Sequence, residues 1–216
     1  GKLRYDILQS HPEFEVLGIL EKNDSNLIPS HLKRFENYQQ LLDSDIDSVF
    51  ICAFNDVLAD YTKLALAKGI HVFCEKPPAR NVKELESVQD ILSKSNCVLK
   101  YGFNHRYHYS VIEAKKLIEK GNFGKLLHVR GVYGKAGSLD YDKNWRNYKN
   151  ISGGGILIDQ GIHMLDLLRY LSGTEFEVKH SIIKTLFWNI ESEDNAFLLL
   201  ENNFGSIASI HSSATQ

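Results

Sequence analysis

Long apolar runs are missing from this chain of 216 residues. No stretch approaches the roughly 18 apolar residues that a membrane-spanning helix needs, so no membrane segment is expected. A charge excess is missing too: 25 Lys and Arg stand against 27 Asp and Glu, for a formal net charge of −2. That argues against a nucleic-acid binder, which carries a basic balance or stripe. Cysteines are few, odd in number and share no metal-ligand spacing: Cys52, Cys74 and Cys97. Cys52 and Cys74 lie in strand-like apolar runs, where a free thiol behaves as a small hydrophobe, so reduced cysteines in a cytoplasmic protein are expected rather than a disulfide framework. The opening residues, Gly1 to Leu8, are amphipathic and lack the charged start and apolar run of a secretory leader. What remains, 43% apolar and 24% charged residues, suits a globular protein with one large domain or two small ones.

What the chain does have is rhythm. Glu15 to Leu20 (EVLGIL), Ser48 to Ala53 (SVFICA), His71 to Cys74 (HVFC) and Val98 to Tyr101 (VLKY) are rich in β-branched or aromatic residues and predict strands. Helical patterns lie between them at Tyr38 to Asp43, Asp60 to Lys68 and Val82 to Lys94, with Gly69 placed as a C-terminal cap. That alternation indicates βαβ units and a doubly wound parallel sheet over residues 1–101. Over residues 102–216 the pattern changes to an α+β domain with a mainly antiparallel sheet. A helix from Tyr109 to Glu119 precedes a strand from Lys125 to Tyr133, a polar and aromatic loop from Gly134 to Asn150, and a helix from Gly161 to Leu171. Glu177 to Trp188, Asn195 to Glu201 and Ser206 to Ser212 then alternate apolar and polar, with a turn around Asn202, Asn203 and Gly205. Both ends read as cut, since the chain opens straight into a helical pattern and stops just after a strand.

Three clusters could carry chemistry. Glu21 closes the strand EVLGIL, 20 positions after Gly1. In a dinucleotide-binding unit an acidic residue about 20 positions beyond a Gly-rich turn bonds the adenosine ribose hydroxyls. Gly1 would then be the last glycine of that turn, with the first strand and two earlier glycines outside this chain. An acid that ends a strand is equally ordinary on a protein surface, and the spacing alone does not decide. The second cluster, HVFCEKP, runs a buried strand into Glu75, Lys76, Pro77 and Pro78. Ligands of open parallel sheets bind outside the strands' carboxyl ends, and a lysine there can hold a reacting oxygen beside a nicotinamide. A solvated Glu–Lys pair is the plain alternative. The third, SGGGILIDQGIHMLDLL, places Asp159 and His163 four apart, one helical turn if the helix begins near Asp159. A carboxylate beside an imidazole favours its protonated form and suits proton exchange with a hydroxyl or carbonyl. Gly153 to Gly155 would let a backbone approach a ligand closely. A helix cap with a partly buried histidine is the plain alternative, and Asp166 reads as structural or surface-exposed.

In order, EKP, GFNHRY, GNFGKLLHVRG, WRN and SGGG-LIDQGIH-LD resemble the glucose–fructose oxidoreductase / inositol dehydrogenase (Gfo/Idh/MocA) family along essentially the whole chain. The resemblance implies a Rossmann domain, then a substrate-binding domain whose open sheet often makes the dimer contact. It implies catalytic roles for Lys76, Asp159 and His163, with Gly1, Glu21, Asn55, Glu75, Lys76 and Pro77 at the cofactor. Asn104 and Arg106 match the family's N-x-R and would line the substrate cleft or join the domains. Trp145 and Arg146 lie on the loop over the substrate, where the arginine could take a carboxylate or phosphate. Ala53 and Phe54 replace the usual Thr-Pro before Asn55, and Leu58 stands where a histidine is common.

The expected activity is therefore NAD(P)-dependent hydride transfer at a hydroxyl or carbonyl carbon of a sugar, polyol or nucleotide sugar. Glu21 favours NAD because a carboxylate repels the 2′-phosphate of NADP, although Lys22 beside it works the other way. Tyr141, Trp145, Arg146 and Tyr148 are compatible with a nucleotide sugar. Alternatives are an NAD-using glycosidase of the same fold and a non-catalytic nucleotide-sensing regulator. A homodimer or homotetramer through the second sheet is expected, with neither nucleic acid nor membrane as partner. No metal is expected either, because His71, His105 and His108 are joined by no cysteine or second acidic cluster. Lys115, Lys116 and Lys120 read as a solvated helix face.

Overall fold

A computed structural model describes residues 1–21, 29–137 and 140–215. The chain divides into two compact units, Gly1–Gly102 and Phe103–Gln216. The first contains α1 (Lys2–Ser10), β1 (Gly18–Ile19), β2 (Lys33–Arg34), α2 (Tyr38–Leu42), β3 (Ser48–Ile51), α3 (Asn55–Ala67), β4 (His71–Cys74), α4 (Val82–Leu92) and β5 (Leu99–Tyr101). β3, β4 and β5 pair in that order, all parallel, and β1 pairs parallel with β2. Parallel neighbours need a crossover, and α3 and α4 supply two of them. Because helices cover the sheet, its strands are mostly apolar: Val49, Ile51, Val72 and Cys74 pack with Leu58, Ala65 and Leu66 of α3 and Val88 of α4.

Side-chain caps set where several helices begin. Asn37 accepts the Gln40 amide at 2.9 Å, and Asn81 accepts that of Glu84 at 3.0 Å. Each satisfies an amide that the first turn leaves without a partner. α3 starts at Asn55, ahead of the Asp60 expected from apolar spacing, because the buried Asn55 already belongs to its first turn. β2 has no apolar signature at all and exists through its pairing with Gly18 and Ile19. A side chain at Gly18 would place its Cβ 2.6 Å from the Lys33 carbonyl oxygen, so this ladder closes only over glycine. Between the two ladders lies a trough of about 750 Å³, walled by Leu17 and Ile19 on one side and Val49 and Ile51 on the other.

The second unit opens with a 3₁₀ turn (Asn104–Tyr107), α5 (Tyr109–Glu119) and β6 (His128–Gly134). Two further 3₁₀ turns, Tyr141–Lys143 and Trp145–Asn147, lead to α6 (Lys149–Ser152). A π-helical turn, Leu157–Gly161, runs directly into α7 (Ile162–Ser172), followed by β7 (Glu177–Lys184), β8 (Asn195–Glu201) and β9 (Ile207–Ser213). The sheet order is β6-β9-β8-β7, parallel between β6 and β9 and antiparallel elsewhere. Period-two alternation turns Leu198, Leu200, Ala208 and Ile210 onto Met164 and Leu168 of α7. Each such apolar side chain taken from water contributes about 1.5–3 kcal/mol. Gly131 leaves room for its cross-strand partner on β9, since a Cβ there would come within 2.8 Å of Ile210. On the opposite face, Val132, His211, Phe197 and Ile182 stand in register across the four strands.

β7 stops at Lys184, short of the expected Trp188. The carboxylate of Asp194 takes the amides of Leu186, Phe187 and Trp188 at 2.7, 2.8 and 2.9 Å, and the chain turns there instead of pairing. Among the described residues no helix is long and apolar enough to cross a membrane.

Candidate active site

In the first unit, the candidate residues follow the carboxyl ends of parallel strands. β4 ends at Cys74, and Glu75, Lys76 and Pro77 come next, with a cis peptide between Lys76 and Pro77. Glu75 accepts from Arg4 Nε at 2.8 Å, and the same guanidinium lies 4.7 Å from the centre of the Phe73 ring. Gly102, just beyond β5, leaves room for that carboxylate, because a Cβ there would sit 2.6 Å from Glu75 Oε2. One carboxylate thus gathers α1 and the ends of β4 and β5. Lys76 is half-buried and Pro77 buried. Gly1 caps α1, Asn55 opens α3, and Glu21 is exposed just past β1. Lys22 lies outside the described residues. Leu58 fills the core, fully buried. Burial pushes the Cys74 thiol up to about 12 and raises that of Cys52, so neither is poised as a nucleophile.

In the second unit, Asp159 lies in the π-turn and His163 in the first turn of α7. π-turns inside helices are rare and frequent at functional sites. Asp159 accepts from Gln160 Nε2 at 3.0 Å and from Arg146 Nε at 3.3 Å. Arg146 in turn lies over the Trp145 ring, 4.4 Å from its centre. The two loop residues and the motif carboxylate therefore form one cluster. Tyr141, buried nearby, has its hydroxyl pKa raised by burial and by the charge of Asp159. His163 is 5% exposed, stacked on His105 with ring centres 4.0 Å apart and met edge-on by Phe103 at 6.1 Å. Gly161, between the two motif residues, seats the segment against β9, since a Cβ would come 2.7 Å from Ser212 Oγ.

Three sequence readings take a different form here. Arg106 is engaged by Asp166, which is buried and structural, through Nε at 2.8 Å and a second guanidinium nitrogen. Asn104, two residues earlier, is exposed. The glycine run admits the protein's own backbone: Gly153 adopts φ +83° to end α6, and a Cβ on Gly155 would stand 2.0 Å from the Glu193 carbonyl oxygen. Arg4, His105 and Glu193, none of them expected at the cofactor, the substrate or the catalytic group, all touch candidate site segments. Only His105 left a trace in the sequence, lying between Asn104 and Arg106. Among the described residues no group of three or more His, Cys, Asp or Glu could hold a metal ion.

The first unit is a Rossmann-type parallel α/β unit with a Lys turn after β4, and the second is an open-sheet unit bearing Asp159 and His163 on one helical segment. Two family models agree. The one described as an oxidoreductase family with an NAD-binding Rossmann fold matches residues 3–103, and the GFO/IDH/MocA C-terminal domain matches residues 111–216. The chain belongs to the Gfo/Idh/MocA family. Levoglucosan dehydrogenase of Pseudarthrobacter phenanthrenivorans is 32% identical over 183 residues, 81% of this chain and 47% of the relative. D-glucoside 3-dehydrogenase of Escherichia coli is 34% identical over 136 residues, 59% of this chain and 36% of the relative. A solved levoglucosan dehydrogenase in complex with NADH and levoglucosan superposes with a TM-score of 0.81 at 28% identity, covering 85% of this chain and 52% of that one. The chain spans about half the length of the curated relatives it matches.

Proposed function

We propose that the chain is the core of an NAD-dependent dehydrogenase acting on a hydroxyl or carbonyl carbon of a sugar, polyol or nucleotide sugar, with residues 1–101 binding dinucleotide and 102–216 binding substrate. The observation that carries the proposal is the Arg146–Asp159–Gln160 cluster, one turn from the buried His163 on the same segment. Support comes from a held carboxylate lying four residues before a buried imidazole, in a chain whose other half matches an NAD-binding family model. The residues fit the cofactor: Glu21 offers an exposed carboxylate at a strand end for ribose hydroxyls, which also favours NAD over NADP. Gly1, Asn55, Lys76 and Pro77 flank the same strand ends, and Glu75 contributes by holding α1 through Arg4. NAD, when bound, supplies the hydride acceptor. His163 exchanges the proton of the reacting hydroxyl, Asp159 favours the protonated imidazole, and Lys76 holds the reacting oxygen. Trp145, Arg146 and Asn104 contact the substrate, while Arg106 shapes that side through Asp166. A cytoplasmic setting accords with the three free cysteines. The outer sheet face binds a second copy of the chain.

The test is calorimetric binding of NAD(H) and NADP(H) to the full-length protein, with Glu21→Ala and Lys76→Ala alongside, followed by turnover of levoglucosan, D-glucosides and inositols. NAD is expected to bind more tightly than NADP, with that preference lost in Glu21→Ala. If neither cofactor binds, the proposal falls.

A further inference from the structure

Glu193 sits just before β8, far in sequence from either motif, and its contacts converge on the segment that carries Asp159. Its Oε2 accepts the Gly155 amide at 2.9 Å and its Oε1 accepts the Leu157 amide at 3.1 Å. Its main-chain carbonyl accepts the amide between them, that of Ile156, at 3.0 Å. Three consecutive amides are thus held by one residue. The next link reaches the motif, because the Asp159 amide donates to the Gly155 carbonyl at 3.0 Å. The approach is so close that Gly155 tolerates no side chain, with the Glu193 nitrogen and carbonyl oxygen 2.8 and 2.0 Å from where a Cβ would stand. The preceding residue does the same for the other side of the cluster. Ser192 Oγ donates to the Asn147 carbonyl at 3.3 Å, next to Arg146, which bonds Asp159.

An anionic acceptor bonds amides about twice as strongly as a neutral one. A carboxylate with both oxygens committed to a segment that enters a π-turn therefore fixes that turn's start. Ile156, the residue that precedes the turn, offers no side-chain cap of its own. We propose that Glu193 is a positioning residue for Asp159, acting through the 155–157 backbone to hold the Asp159 carboxylate at Arg146 and the π-turn in the register that leads into His163. It rests on the assignment of Asp159 and His163 as the proton-transfer pair.

The test uses the full-length protein with Glu193→Gln, which keeps length and volume but loses the charge and one acceptor, and Glu193→Asp, which keeps the charge. Asp159→Asn is the reference. Two readouts need no ligand: hydrogen exchange of the 155–159 amides, and the NMR titration of the His163 imidazole. In Glu193→Gln, exchange at Gly155 and Leu157 should rise about tenfold or more, and the His163 midpoint should move in the direction seen for Asp159→Asn. Glu193→Asp should restore part of both. Where levoglucosan or an inositol turns over, kcat should fall at least tenfold with the KM for NAD unchanged. A Glu193→Gln protein that melts earlier, yet titrates at His163 as the parent does, would overturn the proposal. If the parent turns over none of these substrates while the titration still follows Asp159→Asn, the positioning role stands and the dehydrogenase assignment fails.

Discussion

Arg106 and Asp166 grip each other at two points, the guanidinium on the 3₁₀ turn Asn104–Tyr107 meeting a carboxylate of α7 that is only 7% exposed. Exposed ion pairs contribute under about 1 kcal/mol, and breaking a fully buried one costs about 3–5. With the Arg106 side chain 35% exposed, this pair falls between. Asp166→Asn should lower stability by about 2 kcal/mol, and Arg106→Lys, which keeps charge but loses the fork, by about half that. Urea unfolding monitored in the second unit decides it: two variants within a few tenths of the parent would show the pair to be idle.

Asp194 is fully buried, and burial alone would raise its pKa. The amides of Trp188, Leu186 and Phe187, helped by Asn195, outweigh that and hold the carboxyl below its ordinary 3.8. A depressed acid binds fewer protons folded than unfolded, so its stabilisation is complete above the unfolded value and is lost as pH falls through the folded one. Asp194→Asn should therefore cost about 3 kcal/mol at pH 7, where three amides lose an anionic acceptor. The gap between parent and variant should narrow below about pH 4. A gap that stays constant from pH 7 to pH 3 would refute the assignment.

The outer sheet face carries Val132, Phe197 and Ile182 in one exposed row, with His211 stacked on Phe197 at 3.8 Å between ring centres. On the proposed contact with a second copy, Phe197→Asp should be disruptive, because a carboxylate buried without a partner is costly. Sedimentation velocity of the full-length protein should show a dimer or tetramer, and Phe197→Asp a single chain. A parent that sediments as a monomer at tens of micromolar would dismiss the interface.

How far these features were legible depends on where each signal lies. Strand His71–Cys74, helix Tyr109–Glu119 and strand Asn195–Glu201 have the boundaries that residue type and local pattern gave them. β2 escaped, since two exposed basic residues become a strand only through a neighbour's backbone. The end of β7 escaped because the cause is Asp194, a residue beyond the strand itself. At the site, Lys76, Asp159 and His163 could be named from motifs. The groups that hold those segments could not: Arg4 reaches Glu75 across 71 positions and Glu193 reaches Gly155 across 38. Contacts of that separation leave no periodic trace, and only the folded chain brings them together.

The place of β9 between β6 and β8 has a consequence for how the protein is made. The first unit is assembled from neighbouring βαβ pieces and can close soon after it emerges from the ribosome. The second cannot, because β6 finds its parallel partner only when Ile207–Ser213 has been synthesised, on the order of 4–16 seconds later at typical elongation rates. Until then Met164 and Leu168 lack Ala208 and Ile210 to lie on, and β6 lacks its strand partner. A newborn chain thus carries an adhesive, incomplete second unit, and its yield in a cell should depend on chaperones that shield it until translation catches up.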